Sequence, residues 1–253
     1  MPGLVEGKAG LVTGAAGGIG RATAIALARE GAAGILVCDL ELRRDDGVQT
    51  VRLIEQEGGH AEFVAGDVSV EADCQTAVAR TVAAFGRLNF AHNNAGVELQ
   101  DTICGTSEED FDKVIAVNLK GVWLGMKHQI PAMLQHGGGS IVNTASLAGL
   151  VAVPSLAAYI ASKHGVVGLT RAAAVEHAND GIRVNCVCPA AIRTAMMDIL
   201  PPDRQQELLA PQAMTRFGEP SEVAESVVWL ISDRASFVTG TALSVDAGAM
   251  ACG

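Results

Sequence analysis

The stretch Ala9-Gly10-Leu11-Val12-Thr13-Gly14-Ala15-Ala16-Gly17-Gly18-Ile19-Gly20 runs from a short apolar strand pattern straight into the start of a helix. Ile19, Ala22, Ala26 and Leu27 then recur at helical spacing, so a helix over 19–29 is expected. Glycines at 14, 18 and 20 let the backbone turn tightly and approach a pyrophosphate with no Cβ in the way. The helix that follows offers free N–H groups and the positive end of its dipole. A glycine cluster alone describes any Gly-rich turn. This one sits between the first strand and the first helix, where a dinucleotide site requires it.

Outward from this loop, strand and helix patterns alternate. Strands are expected at 34–38, 61–65, 88–92, 140–144, 182–187 and 243–245. Helices are expected at 45–57, 70–85, from Ser107 onward, at 155–179 and at 219–232. Ser107 is the expected N-cap of the long helix, with Asp110 in its acidic first turn. The alternation implies an α/β fold: a Rossmann-like, doubly wound parallel sheet with helices on both faces. No repeat or linker divides residues 1–253, so one domain is expected. The irregular stretch of about 190–217 is expected to act as a substrate lid.

Composition narrows the function. Of 253 residues, 49% are hydrophobic and 18% charged, enough to build a packed core. The net charge of -10 and the lack of a basic stripe argue against nucleic acid. Mean hydropathy is +0.29, but the longest uncharged stretch, 137–162, is broken by Gly, Ser, Asn and Pro154, so no membrane span is expected. The start of the chain carries no secretory pattern, and six scattered cysteines form no CxxC pair or metal-ligand spacing. A cytoplasmic protein with reduced thiols and no metal site is expected.

Asp39 ends the second strand pattern, about twenty residues beyond the glycines. A carboxylate there can accept from both adenosine ribose hydroxyls and would repel a 2′-phosphate. This favours NAD. A solvated turn aspartate is the plainer alternative, and Arg43 and Arg44 could still flank a 2′-phosphate.

The chain's single tyrosine, Tyr159, lies four residues before Lys163 in an expected helix, so the two share one face. A free phenol has a pKa of ~10. A nearby ammonium favours the phenolate and is expected to lower that value, making Tyr159 a proton donor and acceptor for an alcohol–ketone pair. Ser146 follows the fifth strand, at the carboxyl edge where such sheets hold ligands, and its hydroxyl could hold the substrate oxygen.

The set Thr13-Gly14-x-x-x-Gly18-x-Gly20, Asn93-Asn94-Ala95-Gly96, Asn118, Ser146 and Tyr159-x-x-x-Lys163 resembles the short-chain dehydrogenase/reductase family, over about 8–248. The resemblance implies Tyr159 as general acid/base. It implies that Lys163 tunes Tyr159 and binds the nicotinamide ribose, that Ser146 orients the substrate, and that Asn118 holds a proton-relaying water. It further implies that Gly14, Gly18, Ile19, Gly20 and Asp39 hold the NAD, that Asp67 and Val68 contact adenine, and that Asn93 and Gly96 line the groove. Pro189, Ile192 and Thr194 would hold the carboxamide. Two positions depart from the family pattern: Ala190 follows Pro189, and Asp246-Ala247-Gly248 replaces Asp-Gly-Gly.

Met196, Met197, Ile199, Leu200, Leu208, Leu209 and Met214 make the lid apolar, which suits an apolar, cyclic or steroid-like secondary alcohol or ketone, although Arg193, Arg204 and Arg216 leave an anionic one open. The small residues Ala157, Ala158, Ala161, Gly165, Gly168 and Ala172 give one helix a closely approachable face, and the family pairs this helix between subunits, so a homo-oligomer, tetramer or dimer, is expected. An NADPH-dependent ketone or 3-oxoacyl reductase is the alternative enzyme. A nucleotide-binding regulator is the alternative without catalysis.

Overall fold

The computed structural model describes residues 2–194 and 201–252. Seven strands form one sheet in the order β3-β2-β1-β4-β5-β6-β7. They are β1 (Ala9–Thr13), β2 (Gly34–Asp39), β3 (Ala61–Ala65), β4 (Phe90–Asn93), β5 (Gly139–Thr144), β6 (Ile182–Pro189) and β7 (Ala242–Val245). Every pairing is parallel.

A central parallel strand is covered on both faces, so its two sets of alternating side chains feed two cores. β1 shows this: Val12 packs into one apolar layer and Leu11 into the other. The Val12 layer is closed by α1 (Gly18–Arg29), α2 (Arg44–Gln56) and α8 (Pro220–Ile231). The Leu11 layer is closed by α3 (Glu71–Phe85), α5 (Gly121–Leu134) and α6 (Ala157–His177). The doubly wound fold expected from the alternation is the fold observed.

Three local differences bear on the site. β4 occupies Phe90–Asn93 rather than 88–92, which carries Asn93 to the strand's last position. The long helix from Ser107 is divided into α4 (Glu108–Ile115), a π-turn (Ala116–Lys120) and α5, and Asn118 sits in that wider turn. Ser107 does cap α4, accepting from the Asp110 N–H at 3.1 Å. Inside the stretch expected to be irregular, Pro202–Leu209 forms a helix, α7, with proline at its start.

The sheet reverses its winding between β1 and β4, and a crevice opens there at the carboxyl edge. Among the described residues no helix is long and apolar enough to cross a membrane.

Candidate active site

The glycine loop joins β1 to α1 at this edge. Gly14 has φ +63, and a Cβ on it would lie 2.8 Å from Ala95 Cα. A Cβ on Gly20 would lie 2.2 Å from the Gly14 carbonyl oxygen. Neither position admits a larger residue without moving backbone. No side chain caps α1 at Gly17, and its first turn holds no acid. The N–H groups of Gly18, Ile19 and Gly20 therefore form an open anion cradle.

Asp39 ends β2 beside this loop. One carboxylate oxygen accepts from the Ala16 N–H and the other from the Leu40 N–H, both at 2.9 Å. A carboxylate has about four lone-pair sites, so each oxygen can still accept from a ribose hydroxyl. Arg43 is bound to Asp46 at 2.8 Å and Arg44 to Glu41 at 2.6 Å. Both pairs are exposed, and the Arg43 guanidinium borders the glycine loop, 3.5 Å from where a Gly17 Cβ would be. The donor set fits an adenosine diphosphate.

Asp67 and Val68 line a cavity between α3 and α5 that also reaches Ala95 and Val117. Asp67 is held by its own turn, accepting from the Ser69 N–H at 2.8 Å. Asn93 lines the same cavity. Its amide is bonded to Gln129, which also lines the cavity, at 3.0 Å and to Asn143 at 2.9 Å. Gly96 does face the site: a Cβ there would lie 3.3 Å from Asn118 Oδ1 and 3.5 Å from Lys163 Nζ.

Lys163 is buried, and its ammonium donates to the Thr144 carbonyl at 2.8 Å. Burial pushes its pKa down to about 8. Tyr159 lies beside it, the ammonium 5.5 Å from the ring centroid. Burial raises the phenol to about 12, the hydrogen bond with Ser146 opposes this, and the Glu98 carboxylate adds to it. Desolvation of the phenolate outweighs the lowering expected from Lys163, whose ammonium is turned to the Thr144 carbonyl, so the net shift is upward. Ser146 also accepts from the Ala148 N–H at 3.1 Å, which fixes its side chain.

The Asn118 side chain is engaged within the protein. It accepts from the Val97 N–H and donates to the Val97 carbonyl, each at 2.8 Å, and donates to Ser162 at 3.1 Å. Both amide hydrogens are spent, so a water on Asn118 would donate to the second lone pair of Oδ1 or meet its main chain. The amide clamps the segment that carries Glu98, a half-buried carboxylate that sequence reasoning missed. Glu98 follows the Asn93–Gly96 stretch by two residues, and that proximity was the available signal.

Pro189 ends β6, and Ile192 bridges to Gly218 across the base of the lid. Thr194 Cγ2 lies 3.4 Å from where a Gly18 Cβ would be, so these residues do reach the glycine loop. Gln212 ties the lid base together, accepting from the Ala191 N–H at 3.1 Å and donating to the Arg216 carbonyl at 2.9 Å. Arg216 is paired with Glu222 at 2.8 Å and Arg193 with Glu219 at 3.5 Å, which leaves both committed to carboxylates. Met196, Met197, Ile199 and Leu200 lie outside the described residues. Met214 is exposed, and Leu208 and Leu209 are half-buried. The departure at Ala190 leaves an ordinary backbone, whereas Ala247 is forced to φ +53. Among the described residues no cluster of potential metal ligands occurs.

Comparison with known proteins places this geometry. A family described as enoyl-(acyl carrier protein) reductase matches residues 14–250. The chain is 41% identical over 248 residues to a cyclohexanol dehydrogenase of Acinetobacter sp. (strain SE19), covering 97% of this chain and 96% of that one. It is 43% identical over 249 residues to a 2,5-dichloro-2,5-cyclohexadiene-1,4-diol dehydrogenase of Sphingobium indicum, covering 96% and 97%. The structure of a carveol dehydrogenase from Mycobacterium avium in complex with NAD superposes with a TM-score of 0.92 at 33% identity, over 98% of this chain and 99% of that one. Nearly end-to-end matches of this kind, on a sheet wound in this order, make the chain an oxidoreductase belonging to the short-chain dehydrogenase/reductase family.

Proposed function

We propose that the protein is a cytoplasmic, NAD-dependent dehydrogenase of apolar cyclic secondary alcohols, able to reduce the matching ketones, in one catalytic domain with a lid over about 190–217. The observation that carries this reading is the cluster of Tyr159, Ser146 and Lys163 at the carboxyl edge, beside a glycine loop braced by Asp39. Two relatives are named for ring alcohols, cyclohexanol and a cyclohexadienediol, and a neighbouring structure holds NAD.

The nicotinamide supplies a site that accepts or releases hydride. The chain supplies the proton chemistry and the orientation. Ser146 donates to the substrate oxygen and holds it beside the Tyr159 hydroxyl. In ketone reduction Tyr159 gives its proton to that oxygen, and a phenol protonated up to about pH 12 is well set to do so. In alcohol oxidation the same oxygen takes the proton, and the buried ammonium of Lys163 favours its anionic form. Lys163 and Asp39 hold the two riboses, the first-turn N–H groups of α1 the pyrophosphate, Asp67 and Val68 the adenine, and Pro189, Ile192 and Thr194 the carboxamide. Asn118 relays protons outward through a water on its main chain.

The test is absorbance of reduced nicotinamide with NAD or NADP and a panel of aliphatic, cyclic and steroid alcohols. Reduction of NAD by cyclic alcohols, with little of NADP, supports the reading. Better use of NADP, or turnover confined to acyl thioesters, overturns it. We also infer a homo-oligomer: Phe111 on α4, Trp123 on α5 and Val175 on α6 are exposed apolar side chains, and Gly168 faces open space. A monomer in sedimentation would refute that.

A further inference from the structure

His92 lies on β4, two positions before the groove, and is wholly buried. Its Nε2 is 2.8 Å from Thr144 Oγ1, while its Nδ1 has no hydrogen-bond partner. Thr144 Oγ1 is in turn 3.2 Å from Asn94 Oδ1. The Asn94 amide nitrogen meets the carbonyls of Thr13, at 3.1 Å, and Gly14, at 3.3 Å. Four side and main chains therefore form one line from the core to the glycine loop.

The proton order along this line has one solution. Asn94 must present its NH2 to the two loop carbonyls, since the flipped amide would set oxygen against oxygen. Its Oδ1 then faces Thr144 and can only accept. The single hydroxyl proton of Thr144 is spent on it, so Thr144 Oγ1 must accept from His92. His92 must therefore carry its proton on Nε2. Nδ1 is left as a bare lone pair, which agrees with its lack of a partner, because an unmet acceptor is tolerated better than a buried unmet N–H.

We infer that His92, as the neutral Nε2–H tautomer, is a positioning residue that fixes the Gly14 turn for the cofactor through Thr144 and Asn94. The assignment of the loop to the cofactor rests on the function proposed above; the proton order does not. Burial holds the imidazole pKa at about 3, so the tautomer persists over the working pH range. Thr144 also carries Lys163 on its carbonyl, so the line starting at His92 runs past the catalytic lysine before it reaches the loop.

Two measurements on the whole protein test this. In the first, 15N NMR reads the imidazole of His92, identified as the signal lost in His92→Gln. The expected result is a protonated Nε2 and a bare Nδ1, unchanged between about pH 5 and 8. A protonated Nδ1 overturns the proposal, whether or not the protein binds NAD. The second is calorimetric titration with NAD alongside steady-state kinetics. Gln can place an N–H near Thr144, and His92→Gln should keep Kd within about threefold. His92→Leu should raise Kd about tenfold, equivalent to about 1.4 kcal/mol, with a smaller fall in kcat at saturating NAD. A purely structural role predicts lower stability with Kd unmoved in both folded variants, and that result overturns the proposal. Wild-type protein that binds neither NAD nor NADP would sink the cofactor reading instead, and with it the positioning role, while the NMR result would still decide the proton order.

Discussion

Replacing Lys163 by Met removes a buried ammonium, and the pH dependence of stability should register its loss. Lys163 is 4% exposed, and burial pushes it from 10.5 down to about 8. Below about pH 8 the amine is charged in the folded and unfolded chains alike, so the fold bears the full desolvation penalty. Between about pH 8 and 10.5 the folded chain has released the proton that the unfolded chain still binds, so stability rises with pH. Integrated from about pH 8 to about pH 10, the gain is about 2 kcal/mol. Tyr159 acts with the opposite sign and later. Its phenol is raised by burial from 10.0 to about 12, so above about pH 10 the folded chain holds a proton that the unfolded chain loses, and stability falls. The buried thiols of Cys38 and Cys74, raised from 9.0 to about 12 and about 11, likewise lower stability above about pH 9 in both proteins, so Lys163 is read from the difference: from about pH 8 to about pH 10 the wild type should gain on Lys163→Met. For a chain of this size 1 kcal/mol is about 2–4 °C in Tm, so the gap between the two proteins should change by about 4–8 °C across the window. Losing the bond to the Thr144 carbonyl displaces the variant's whole curve but not its slope. Parallel curves in thermal or urea unfolding would refute the reading of Lys163 as a buried charge.

Three further outcomes are expected. Tyr159→Phe should cut kcat by about a thousandfold or more while Kd for NAD stays within a few-fold, since the phenol supplies proton transfer; near-normal turnover would refute its role. Asp39→Ala should raise KM for NAD about tenfold or more and narrow the preference over NADP, because it removes an acceptor and a repelling charge; an unchanged cofactor ratio counts against that assignment. Ala247→Gly should stabilise by about 0.5–1 kcal/mol, since Ala247 sits at φ +53 where a Cβ is strained, and a lowered Tm would show that the turn is relaxed.

Signals confined to one element were legible in the sequence. The glycine loop needs only the order strand, glycines, helix, and Tyr159 and Lys163 need only one helical turn. α7 was missed because its polar, proline-led stretch lacks a clear apolar stripe, although Pro202 at its start was a usable sign. What escaped entirely was pairing across distant segments. His92 and Thr144 lie 52 positions apart, and Asn94 and Gly14 lie 80 apart. Only strand register brings them together, and register is not written in either segment alone. The net direction of the Tyr159 shift escaped for a related cause: helical spacing set Lys163 near Tyr159 but could not show how deeply the phenol is buried or that the ammonium points to the Thr144 carbonyl.

The same register explains why this edge of the sheet carries the chemistry. Each central strand is an apolar run buried on both faces, and it can tolerate polar groups only where burial ends or where a partner is supplied. Thr13, Asp39, Asn93 and Thr144 are the polar residues that close β1, β2, β4 and β5. Because all the strands are parallel, these ends lie on one edge, and the polar groups that end the strands become each other's partners. Thr13 Oγ1 accepts from the Asn94 and Ala95 N–H groups, Asn94 holds the Thr13 and Gly14 carbonyls, and the Thr144 carbonyl holds Lys163. The glycine loop and the proton-transfer pair are therefore fixed by one shared network rather than by separate ones. A substitution at Thr144 should for that reason disturb cofactor binding and lysine placement together, whereas one at Ser146, which reaches Tyr159 but not the loop, should disturb turnover with little change in NAD affinity.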